Sequence, residues 1–211
     1  MEIRAYFRYN ISTKVGDLMN MIQNCIDASG VLLMKEARKR DVTKNAFYQF
    51  VKSNQFERIA QGVYLSPDNW EDESFVLHLR CPQAVFSHDE ALYYHDLIDR
   101  EPLQRTVTVY SGYNTQKLTA SGIKVYTVKK ELLPIGRQII TNTFGHKIPM
   151  YDLERTICDL VRSRSHFEMQ DFQSALKHYT TRKDKDLNKL MQYAKAFRVQ
   201  NVLRTYLEVL L

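Results

Sequence analysis

Residues 31–65 read VLLMKEARKRDVTKNAFYQFVKSNQFERIAQGVYL, and this stretch decides the fold. Leu32–Arg40 has the pattern of a short helix: Leu33 and Ala37 are apolar, while Lys35, Glu36, Arg38, Lys39 and Arg40 can face water. Asp41-Val42-Thr43 reads as a turn, with Thr43 or Asp41 placed to cap a second helix. That helix, over 44–53, sets Ala46, Phe47, Phe50 and Val51 on one face and Lys44, Asn45, Tyr48, Gln49 and Lys52 on the other. Two β-prone pieces then pivot about Ala60-Gln61-Gly62, a hairpin signature that leaves Arg58, Gln61 and Tyr64 on its surface. Helix, tight turn, polar-faced helix and basic-tipped hairpin is the order of a winged helix-turn-helix, whose second helix reads base edges and phosphates.

The expected DNA-binding set is Lys35, Arg38, Lys39, Lys44, Asn45, Tyr48, Gln49, Lys52, Arg58 and Gln61. These are the side chains that make bidentate base contacts and neutralise phosphates. From Leu32 to Tyr64 there are seven Lys/Arg against three Asp/Glu. A solvated basic helix face is the competing explanation; the short step from helix to hairpin favours the interface.

At 211 residues the chain exceeds the usual ~100–150 of one domain, so one large or two modest domains are expected. Net charge is +6 and pI about 9.1, which favours a polyanionic partner. The charge is uneven: residues 1–68 carry +3, 69–100 carry −5, 101–150 carry +5 and 151–211 carry +3. Cys25, Cys81 and Cys158 are single and far apart, which supports neither a disulfide framework nor a zinc site. The start, Met1-Glu2-Ile3-Arg4, lacks the apolar run of a signal peptide, and no window approaches ~18 uninterrupted apolar residues. A soluble, cytoplasmic protein without a membrane partner is expected.

Residues 1–12 form an aromatic-rich strand or arm, and 13–29 a helix ended by Gly30. Residues 72–80 read as a helix and 84–86 as a strand; Ser87 and Glu90 form a capping box for a helix over 88–95. Strands are expected over 105–110 and 123–128, and over 139–144 and 147–150 as a pair across Gly145-His146. Helices follow at 151–161, capped by Asp152, and around 169–180, 184–197 and 199–210. The class is α+β: an N-terminal winged helix-turn-helix over 1–70, followed by a C-terminal α+β domain over 71–211 with a small mixed or antiparallel sheet first and helices after.

Catalytic signatures are missing. His88 and His95, seven residues apart, lie ~10 Å apart along a helix and read as surface histidines, with no metal expected. With seven glycines there is no G-x-x-x-x-G-K, and no G-x-S-x-G is present. Cys158 sits on an apolar helix face, which argues for packing. Arg155 is placed for a buried ion pair with Asp159 or Asp152. No enzyme and no cofactor is expected. Lys117, Lys124, Lys129, Lys130 and Arg137, and Arg182, Lys183, Lys185 and Lys189, form further basic groups; a solvated face is their simplest reading, and an extended DNA footprint the functional one.

Three segments in this order, LLMKEARKRDVTKNAFYQFVKSNQFERIAQGVYLSPD, AVFSHDEALYYHDL and IPMYDLERTICDLVRSR, give the chain a near full-length resemblance to AbiEi-type antitoxins of bacterial abortive-infection systems. The most diagnostic pairing is GVYLSP with DLERTICDL. The resemblance implies a winged domain that binds inverted repeats in its own promoter, bends the DNA and represses transcription, with self-association on DNA. It also implies a C-terminal domain that counteracts a cognate nucleotidyltransferase toxin without a stable complex. Carried over by position, the DNA-contacting set is Lys44, Asn45, Tyr48, Gln49 and Lys52 with Arg58 and Gln61. The alternatives are a repressor whose C-terminal domain binds an effector or dimerises, with no toxin, and a nuclease-like enzyme targeted by its winged domain.

Overall fold

The computed structural model describes residues 16–210, and the protein is α+β. The expected aromatic arm over 1–12 and the start of the first helix lie outside the described residues. Contacts divide the chain into two units: residues 1–80 with the turn Asn142–His146, and residues 81–141 with 147–211.

In the first unit, α1 occupies residues 16–23 and ends before Gly30, earlier than expected. Strand β1 (Val31–Leu33) and helix α2 (Met34–Lys39) take the place of the single helix expected from Leu32. Helix α3 follows at Lys44–Ser53, then β2 (Glu57–Ala60), β3 (Val63–Leu65) and α4 (Glu73–Arg80). The three strands form an antiparallel sheet in the order β1-β3-β2, with a bulge between Arg58 and Ala60. Val31 and Leu33 are strand because β1 pairs along β3, with Val31 opposite Leu65 and Leu33 opposite Val63. Ile22, Leu32, Ala37, Phe47, Phe50 and Tyr64 form the core. Phe75 and Leu79 of α4 pack with Val31, Val63 and Leu65, which carries this unit past the expected boundary at residue 70.

In the second unit, β4 (Val85–Phe86), α5 (Asp89–Tyr94), β5 (Thr106–Tyr110), α6 (Gln116–Ala120) and β6 (Lys124–Val128) precede the hairpin β7 (Arg137–Thr141) and β8 (Lys147–Tyr151). The sheet order is β6-β5-β4-β8-β7; β5/β6 and β4/β8 are parallel, the other pairs antiparallel. Helices α7 (Leu153–Arg162), α8 (Met169–Thr181), α9 (Leu187–Ala196) and α10 (Gln200–Leu210) follow. Asp152 caps α7, accepting from Arg155 N at 2.9 Å. Arg155 is fully buried: its Nε donates to Asp159 Oδ2 at 3.0 Å, Nη1 donates to the Leu132 and Ile135 carbonyls, and the guanidinium lies 3.9 Å from the Tyr151 and Phe197 ring centres. Among the described residues no helix is long and apolar enough to cross a membrane.

Two expectations fail around β4. Ser87 does not cap α5; its hydroxyl lies inside, 2.8 Å from Thr108 Oγ1 and 3.0 Å from His88 Nδ1. His88 is no surface residue: it is fully buried at φ +50°, with its ring stacked on Tyr126 at 3.5 Å and Nε2 3.2 Å from Ser163 Oγ. Burial holds its imidazole well below the ordinary value, with Arg162, Arg155, Lys124 and His166 acting the same way. His95 is half-buried, with Nε2 2.9 Å from the Tyr151 carbonyl.

Candidate nucleic-acid interface

Helix α3 begins where Thr43 Oγ1 accepts from Ala46 N at 3.4 Å, and it buries Ala46, Phe47, Phe50 and Val51. That 3- and 4-residue spacing fixes the helix rotation, so Lys44, Asn45, Tyr48, Gln49 and Lys52 are exposed on the opposite face. Lys35, Arg38 and Lys39 of α2, and Arg58 and Gln61 of the β2–β3 hairpin, are exposed as well. Gly62 supplies the left-handed residue of the hairpin turn at φ +74°, and its carbonyl accepts from Met34 N at 2.9 Å. The hairpin is thereby tied to the start of α2.

Lys35, Arg38, Lys44, Tyr48, Arg58 and Gln61 line one groove of about 580 Å³ between α2, α3 and the hairpin. Lys39, Asn45, Gln49 and Lys52 are not in that groove. Lys39 pairs with Glu36 at 3.0 Å; among the described residues Lys35, Arg38, Lys44, Lys52 and Arg58 make no ion pair. Tyr64 departs from expectation: it is buried, edge-on to Phe47 at 5.3 Å and to Tyr48 at 6.4 Å, and supports the groove from beneath. Burial, with Tyr48 beside it, pushes the Tyr64 phenol above its ordinary value.

No local sequence pattern marks a second cluster in the same unit. His146 Nδ1 donates to Asp72 Oδ2 at 2.6 Å, and Nε2 lies 2.9 Å from Ser29 Oγ and 3.0 Å from Asp27 Oδ2. The ring stacks on Phe75 at 3.8 Å. Ser29, His146 and Asp72 thus stand in the order of nucleophile, base and orienting carboxylate. Asp27 disables that arrangement. The Ser29 hydroxyl donates to Asp27 Oδ1 at 2.7 Å, the Ser29 and Val31 amides donate to the same oxygen, and the Gly30 amide donates to the Asp27 carbonyl. The Ser29 hydroxyl proton is thereby given to a carboxylate and not to the imidazole, and the two nearby amides are already taken. The cluster fastens the turn Asn142–His146 to the loop before β1.

In the second unit Cys158 is buried and burial pushes its thiol up, away from the reactive thiolate. Among the described residues no group of three or more His, Cys, Asp or Glu is placed to hold a metal ion.

No family model and no curated protein matches the chain. Among solved structures, the RV2827C protein from Mycobacterium tuberculosis is similar, with a TM-score of 0.58 at 10% identity over 92% of this chain and 76% of that chain. The likeness is one of fold.

Proposed function

We propose that the chain is a DNA-binding transcriptional repressor whose first unit is a winged helix-turn-helix, with α3 as recognition helix and the β2–β3 hairpin as wing. The observation that carries this reading is the outward face of α3, cationic and amide-bearing, beside a groove whose Lys and Arg side chains make no ion pair among the described residues. Asn45 and Gln49 have the paired donor and acceptor that match an adenine edge in the major groove. Lys44, Lys52 and Arg58 neutralise phosphates and set the register of the helix. The resemblance to AbiEi-type antitoxins extends the proposal to autoregulation and to a role against a nucleotidyltransferase toxin.

A gel-shift titration with duplex from upstream of the chain's own reading frame tests the DNA-binding half. Asn45→Ala and Gln49→Ala each remove about 1–3 kcal/mol of base discrimination while leaving binding to unrelated duplex unchanged. Equal affinity of the unsubstituted chain for upstream and unrelated duplex sinks the repressor reading. Co-expression with a neighbouring nucleotidyltransferase-like reading frame tests the antitoxin half, through rescue of growth.

A further inference from the structure

The loop after β3, residues 66–72, reads SPDNWED and carries the only tryptophan of the chain. Trp70 is 86% exposed, and Phe144, in the turn Asn142–His146 of the same unit, is 43% exposed. Both backbones are fixed by one buried carboxylate. Asp72 Oδ2 accepts from Asn142 Nδ2 and His146 Nδ1, each at 2.6 Å, while its Oδ1 accepts from Phe75 N at 3.0 Å. Trp70 lies two residues before Asp72, and Phe144 lies between Asn142 and His146, with its amide donating to Asn142 Oδ1. Two large aromatic side chains therefore stand in water on backbone anchored at one polar knot. Aromatic side chains dominate protein interfaces, because they bury much area while ordering few torsions.

The surrounding charge identifies the partner. Asp68 and Glu71 flank Trp70, both exposed and without an ion pair among the described residues. No Lys or Arg occurs between Arg58 and Arg80, and the cation nearest in sequence to Phe144 is the exposed Lys147. Asp27 and Asp68 line a neighbouring notch of about 370 Å³. This sign is opposite to that of the α3 face, so the loop repels nucleic acid and anionic headgroups and attracts cations. We propose that Trp70 and Phe144 form a docking surface for a segment of another protein that bears apolar side chains flanked by Arg or Lys. The apolar group covers the rings; the cation takes the face of Trp70, the strongest aromatic cation acceptor, with Asp68 and Glu71 beside it.

Trp70 also reports its own occupancy, since no other tryptophan contributes emission. The full chain is titrated with a synthetic peptide of leucine and arginine and with its counterpart carrying glutamate for arginine. The expected result is a saturable blue shift with the first peptide and none with the second. By anisotropy of the labelled cationic peptide, Trp70→Ala weakens binding at least about tenfold, and Asp68→Asn with Glu71→Gln about three- to tenfold, with unchanged melting temperatures. Lys44→Ala with Lys52→Ala leaves peptide affinity unchanged, which keeps this test separate from the DNA-binding reading. Equal peptide affinity of Trp70→Ala and the unsubstituted chain overturns the proposal. An equal blue shift with phosphatidylcholine vesicles overturns it in favour of a lipid surface. Concentration-dependent self-association that is lost in Trp70→Ala, without peptide binding, overturns it in favour of a second copy.

Discussion

The sharpest prediction concerns the salt dependence of DNA binding after Lys44→Ala and Lys52→Ala are made together. Both lysines are exposed on α3 and make no ion pair among the described residues, and alanine has the higher helix propensity, so the fold is preserved. Five cations without an ion pair among the described residues, Lys35, Arg38, Lys44, Lys52 and Arg58, border the interface. Each cation seated on a phosphate steepens the plot of log affinity against log salt by about 0.9, so five give a slope of about −4.5 and three about −2.7. Between about 50 and 200 mM salt the unsubstituted chain then loses about 500-fold in affinity and the double variant about 40-fold. Fluorescence anisotropy on a labelled mixed-sequence duplex measures both lines, because this part of the affinity needs no operator. Parallel lines would remove α3 from the phosphate backbone and refute the reasoning, whatever the absolute affinity.

Other consequences are as direct. Gly136 has φ +75° and a Cβ there would collide with the Arg155 side chain, so Gly136→Ala costs about 2 kcal/mol or more in chemical denaturation. Arg155→Met takes from the fully buried Asp159 its closer cation, leaving Arg162 at 3.5 Å, and takes from the Leu132 and Ile135 carbonyls their donor, at a cost of about 3–5 kcal/mol; adding Asp159→Leu recovers only the part due to the carboxylate, as urea midpoints of the single and double variants will show. Burial raises the Asp27 carboxyl, but hydrogen bonds from Ser29, His146 and Val31 outweigh it and hold it below its ordinary value. A depressed folded value means that this stabilisation is complete above the ordinary carboxylate range and is lost as pH falls through the folded one; Asp27→Asn flattens the acid limb of the urea midpoint between about pH 5 and 2.

The part of the fold that sequence reading reached was written in local spacing. The α3 face was legible because Ala46, Phe47, Phe50 and Val51 leave one rotation of the helix open, and the exposed residues follow from it. Arg155 and Asp159 were legible for the same reason: they lie one helical turn apart on an apolar face, where each needs the other. Strand β1 was not, since Leu32-Leu33-Met34 is too short an apolar run for periodicity to tell strand from helix, and its state is decided by β3, some thirty residues on. Ser87 matched a capping box, yet Thr108 and His88 supply partners that no local pattern contains, and Glu90 is drawn to Arg105 at 2.7 Å.

The knot of Asp27, Asp72 and His146 shows the limit more plainly. Its members are spread over more than a hundred residues, and each alone looks like an ordinary surface side chain. Their meeting makes a polar group that is stable only as a set, because removing one member leaves a buried partner unsatisfied. The same holds for the exposed rings beside it. An isolated tryptophan in a loop carries no message in sequence, whereas one anchored next to a buried carboxylate has a fixed place, and a fixed place is what a partner can recognise.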